Sequence, residues 1–236
     1  MGKVNTKTVD GLLQQALALH QTGQYEEAEL RYRRLLASVP NHPQTLHFLG
    51  VLLLQQGQVD EAITLIGKAV AVLPDYIDAV FNLGNAQKQA GLLAQAEQSF
   101  RMAVKARPQQ PVFLCNLGNV LIGQGKFSEA VPLLQQAVQA DPRQPLAYNS
   151  LGIALSRLGL EQQAESAYRS AIAAQPGYEN AGENLASLLL KQSRWQEAEQ
   201  GLRQLLARAP TNATALNRLG VSLLAQNRFA QALTTL

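Results

Sequence analysis

Cysteine is nearly missing from this chain: Cys115 is the only one in 236 residues, so no intramolecular disulfide is possible and a reducing compartment is expected. Nothing basic lies within a helical turn of it to activate the thiol, which makes small-residue packing its expected role. Aromatic residues make up only 6% of the sequence against 47% hydrophobic residues overall, a balance suited to Ala/Leu helix packing and poor in the runs that strands require. No sheet is expected. No run approaches the length of a membrane span and no apolar segment of signal-peptide type is read near the N-terminus, so the expected setting is soluble and cytoplasmic, away from any membrane.

Charge is sparse as well. The net charge of +3 rests on a charged fraction of 16%, and the basic residues sit beside acidic ones, as with Glu26, Glu27 and Glu29 against Arg31, Arg33 and Arg34. No basic stripe interleaved with aromatics appears, so nucleic acid is not an expected partner. Chemistry-bearing motifs are also wanting. His42 and His47 are off the i,i+4 spacing that places two imidazoles on one helix face, and His20 belongs to the preceding helix, so no metal site is read and the histidines are expected at the surface or in a groove. Gly125-Lys126 is followed by Phe127 and Gly67-Lys68 by Ala69, without the hydroxyl of a phosphate loop. No nucleophile elbow and no distinct carboxylate pair occur. The segment is expected to have no catalytic residue, no cofactor and no enzymatic activity of its own. Two short patterns carry little: Met1-Gly2-Lys3-Val4-Asn5-Thr6 fits myristoylation without basic support, and Asn212-Ala213-Thr214 is a glycosylation sequon that means nothing without secretion.

What the chain does have is a period. Pro40, Pro74, Pro108, Pro142, Pro176 and Pro210 are each 34 residues apart. Ala28, Ala62, Ala96, Ala130, Ala164, Ala198 and Ala232 keep the same step, as do Ala16, Gly50, Gly84, Gly118, Gly152, Ala186 and Gly220. A fourth register reads Gly23, Gly57, Gly91, Gly125, Gly159, Ser193 and Asn227. A fixed period of this length marks stacked helix-turn-helix units, none of which can bury its apolar face alone. Apolar residues at three- and four-residue spacing place helices near 10–22, 26–38, 44–56 and 60–72, repeating thereafter. The Gly23 register supplies the turn, proline ends each second helix, and the Gly50 register is expected to face the Ala62 register where two backbones approach. Tyr32, Ile66, Phe100, Leu134, Tyr168 and Leu202 are expected to lock each pair from the sides.

These registers closely resemble the tetratricopeptide repeat family. The resemblance implies an all-α, right-handed superhelical solenoid, with a flexible leader over 1–8 and repeats over 9–42, 43–76, 77–110, 111–144, 145–178 and 179–212, then a partial one over 213–236. The last segment lacks a closing proline and a polar cap, so the sequence reads as part of a longer chain whose uncapped end would self-associate. In the family the first helices line a concave wall that binds extended peptides. Carried over to this chain, that wall includes Phe48, Phe81, Asn82, Asn85, Asn116, Asn119, Asn149, Ser150 and Asn184. The asparagines among these resemble in part the amide ladder of the repeat region of O-linked N-acetylglucosamine transferases, where such side chains hold a substrate backbone. Two functions stay open: a scaffold for a protein or peptide partner, or the recognition arm of a larger glycosyltransferase or sulfotransferase whose catalytic domain would follow Leu236.

Overall fold

The protein is described by a computed structural model, which places residues 6–235. Those residues form fourteen α-helices and no strand. They divide into two compact units at the close of the third repeat, Met1–Pro108 and Gln109–Leu236. The first unit holds α1 (Thr6–Gln21), α2 (Tyr25–Ser38), α3 (Pro43–Gln55), α4 (Val59–Val72), α5 (Ile77–Gln89) and α6 (Leu93–Ala106). The second holds α7 (Pro111–Gly123), α8 (Phe127–Ala140), α9 (Pro145–Arg157), α10 (Glu161–Ala174), α11 (Glu179–Lys191), α12 (Trp195–Leu206), α13 (Ala213–Ala225) and α14 (Phe229–Leu233). The periodicity therefore places the helices well. The exception is α1, which starts at Thr6 rather than near residue 10, so residues 6–8 of the expected leader are helical. Residues 1–5, including Gly2 of the myristoylation pattern, lie outside the described residues.

Each turn inside a repeat follows from one backbone position. Gly57 has φ +81°, a left-handed conformation that costs a side-chain-bearing residue about 1–2 kcal/mol. With the chain turned there, Gln58 N–H donates to Leu53 O at 2.8 Å and Gly57 N–H to Leu54 O at 3.1 Å, satisfying carbonyls that the end of α3 leaves open. In the last two repeats Ser193 and Asn227 take the same conformation, both at φ +59°.

The helix pairs close on one another through a small residue set against a large one. A Cβ built on Gly152 would lie 2.5 Å from Tyr168 Cε1, and one on Gly50 would lie 2.5 Å from Ile66 Cγ1. The Ala62 carbonyl oxygen is farther, at 3.2 Å. This corrects the sequence-based expectation: the glycines chiefly make room for the large side chains, while the alanine register is simply buried, Ala28, Ala62, Ala96, Ala130, Ala164 and Ala198 being fully covered.

Within each unit the odd-numbered helices also touch each other, α1 with α3 and α3 with α5, then α7 with α9, α9 with α11 and α11 with α13. The described even-numbered helices make no comparable contacts among themselves. The odd helices accordingly form the inner layer of each unit.

Candidate functional site

In the first unit the inner layer carries Phe48 on α3 and Phe81, Asn82 and Asn85 on α5, all partly exposed. Between them lies a polar network that the sequence did not announce. His47, only 3% exposed, receives Asn82 Nδ2–H on Nε2 at 2.8 Å. Its Nδ1 lies 2.8 Å from the Tyr76 hydroxyl. Burial pushes the imidazole down to about 4 despite the opposing charge of Asp78, so the ring is neutral near pH 7. With Nε2 accepting, Nδ1 holds the proton and donates it to Tyr76. The Tyr76 ring stands edge-on to the imidazole at 4.8 Å and Phe48 lies beside it at 4.9 Å. His47 is thus a buried joint and not the surface or groove histidine the sequence suggested.

Asn82 spends one N–H on this joint, which leaves its Oδ1 open. Asn85 is one helical turn further along α5. Among the described residues its side chain has no hydrogen-bond partner.

The second unit repeats the joint with different chemistry. Asn184 Nδ2 on α11 donates to Asn149 Oδ1 on α9 at 2.9 Å, the same 35-residue step as His47 to Asn82. Glu183 and Arg218 make a third such pair, at 3.2 Å, and Asn212 Nδ2 also donates to Glu183 at 2.9 Å. Asn116 Nδ2 donates to Val112 O of its own helix at 2.9 Å, and Asn119 Nδ2 approaches Cys115 Sγ at 3.7 Å. Asn149 and Ser150, expected on an open wall, are only 4% and 3% exposed. Packing between adjoining helices covers them, so they can position neighbours but offer little surface. Cys115 is buried, as its packing role requires.

The even helices of the second unit are tied by charge. Arg194, before α12, grips Glu165 of α10 with both terminal guanidinium nitrogens, at 2.7 and 3.0 Å, and holds Glu197 as well. The Arg194 hydrogen bond holds the Glu165 carboxyl below the usual carboxylate range. One repeat later Arg228 takes Glu199 at 2.5 Å in the same register. Among the described residues no group of three or more His, Cys, Asp or Glu could hold a metal ion, and no helix is long and apolar enough to cross a membrane.

The tetratricopeptide repeat model matches residues 13–73, 49–111, 115–179 and 184–236. The chain belongs to the tetratricopeptide repeat family. Tetratricopeptide repeat proteins are generally non-enzymatic scaffolds for protein–protein interaction. No curated protein sequence matches the chain. Among solved structures, a tetratricopeptide repeat protein from Parabacteroides merdae superposes with a TM-score of 0.77 at 16% identity, covering 97% of this chain and 91% of that one. PilW, described as a widely conserved type IV pilus biogenesis factor, gives a TM-score of 0.73 at 20% identity over 82% and 90%. YrrB, described as a tetratricopeptide repeat protein with an unusual peptide-binding site, gives 0.64 at 20% identity over 78% and 95%. At such identities the likeness concerns the tetratricopeptide repeat fold alone.

Proposed function

We propose that this chain is a scaffold that holds an extended segment of a protein partner against its inner helices. The observation that carries the reading is the pair of open amide groups on α5: Asn82 Oδ1 and the unengaged Asn85 side chain, next to partly exposed Phe48 and Phe81. An amide offers both donor and acceptor to a peptide backbone, and flanking aromatic rings supply area to bury. In the second unit Asn116, Asn119 and Asn184 extend the same reading, with Asn149 and Ser150 as supports. The lone cysteine fits a reducing, cytoplasmic setting.

The test is to select peptides from a random displayed library on the full chain and titrate them calorimetrically. Asn85→Ala removes no internal hydrogen bond, so its melting temperature should hold while affinity falls roughly three- to tenfold. Phe81→Ala should weaken the same peptides. Unchanged affinity in both variants overturns the reading.

A further inference from the structure

The sixth repeat and the turn that leads into it depart from the rest of the chain at four positions, and all four meet at one place. Gly182 stands where the other repeats carry Leu12, Leu46, Val80, Leu114, Tyr148 and Leu216. Gly201 stands where Arg31, Leu65, Ser99, Leu133 and Ala167 occur. Arg208 replaces Ser38, Val72, Ala106, Ala140 and Ala174, and Gly177 replaces Asn41, Asp75, Gln109, Arg143 and Thr211. All four line a cleft of about 580 Å³ between α10, α11 and α12. This volume falls within the range of small-molecule and side-chain pockets.

The departures have separate mechanical effects that add to one result. A Cβ on Gly201 would meet nothing within 4 Å, so the mouth of the cleft is open there. At Gly182 a Cβ would only touch Leu205 Cδ1, at 3.4 Å, so the leucine that other repeats place here would occupy the cleft itself. Leu185, Leu189 and Leu205 are left as an apolar floor. Helix α12 stops at Leu206, two residues short of its counterparts, so Arg208 leaves the helix. Gly177, at φ +97°, lets the Arg208 stem lie across it: a Cβ there would press on Arg208 Cδ at 3.1 Å. The guanidinium ends at the rim, exposed and pairing with no carboxylate among the described residues.

From this arrangement we propose that the cleft is a second docking site, distinct from the Asn82 and Asn85 surface of α5, for a partner protein segment that presents a leucine-sized aliphatic side chain next to a carboxylate. The aliphatic group fills the space that Gly182 and Gly201 vacate. The carboxylate meets Arg208, the one charge introduced by the departures. A neutral or basic segment would leave that guanidinium unanswered, and a bulky aromatic would have to displace Leu205.

The minimal probe is N-acetyl-leucine, with N-acetyl-leucinamide as its uncharged counterpart, titrated into the isotope-labelled full chain and followed by amide NMR. A ligand of this size should bind with a Kd of about 1–10 mM. Saturable shifts are expected at Gly177, Gly182 and Gly201. The amide should bind roughly three- to fivefold more weakly, the scale of an exposed ion pair, and Arg208→Gln should erase that difference. Gly201→Leu, which restores the residue of two other repeats and meets no obstacle, should abolish binding of both probes while the rest of the spectrum stays in place. Absence of shifts at these glycines, or binding that survives Gly201→Leu, overturns the proposal. Either result leaves the inner-layer reading untouched, because Asn85 lies in the other unit.

Discussion

Asn82 and His47 are joined at 2.8 Å across one full repeat, the asparagine donating to a histidine that burial keeps neutral. The joint couples α5 to α3, and its strength depends on the ring staying uncharged.

That dependence has a sign. The His47 pKa falls from 6.5 in an unfolded chain to about 4 in the fold. Its contribution is fully present above pH 6.5 and is lost as pH drops from about 6.5 to about 4, because the unfolded state takes up the proton first. The loss amounts to about 3 kcal/mol over that window. Denaturant unfolding of the wild type and of His47→Gln at pH 7.5, 6, 5 and 4 should show the extra slope only in the wild type. Parallel curves would contradict it.

Glycines in this fold have opposite values according to what they face. Gly152→Ala pushes a Cβ to 2.5 Å from Tyr168 and should destabilise the protein by about 1–3 kcal/mol. Gly67 lies inside α4 with nothing within 4 Å of its would-be Cβ, so Gly67→Ala should stabilise by about 0.5–1 kcal/mol. Thermal melts of the two variants should move in opposite directions.

Pro132 sits inside α8 at an exposed position, where it removes one helical hydrogen bond and crowds the preceding turn. Pro132→Ala should raise stability by as much as about 3 kcal/mol, with no packing lost. A melting temperature that stays put would show that α8 absorbs the ring without strain.

The sixth repeat should be the loosest. Gly182 and Gly201 each cost a helix about 1 kcal/mol relative to alanine, and the space at Gly182 is only partly covered, by Leu205 and not by Trp195 or Leu202. Amide hydrogens of residues 179–210 should exchange faster than those of residues 77–142. Equal protection would mean that the Arg194 and Arg228 clamps compensate.

The repeat, the helix pairs and the turns were legible because each rests on a residue suited to its place by backbone or bulk: Gly57 takes φ +81° without strain, and Pro108 cannot continue α6. The phase of the odd-numbered helices was legible too, which is why Phe48, Phe81 and Asn85 lie partly exposed on α3 and α5 as expected. What each amide binds was not. Asn82, Asn116 and Asn184 share one register, yet the first meets a histidine, the second its own helix and the third an asparagine. A period of 34 aligns equivalent positions, whereas the joints run diagonally at a step of 35, so the partner depends on a neighbouring register that varies freely. Burial of Asn149 and Ser150 escaped for a related reason: helix phase gives direction, but how deeply a side chain sinks depends on the next helix along.

The charge clamps give α10, α12 and α14 one repeated seam. Arg194 reaches back to Glu165 as Arg228 reaches back to Glu199, so the sixth repeat carries a donor for the repeat before it and an acceptor for the repeat after it. A tandem copy of residues 179–212 would meet matching groups at both of its borders. Gene duplication can therefore lengthen this part of the protein by whole repeats with the charge clamp kept at the join.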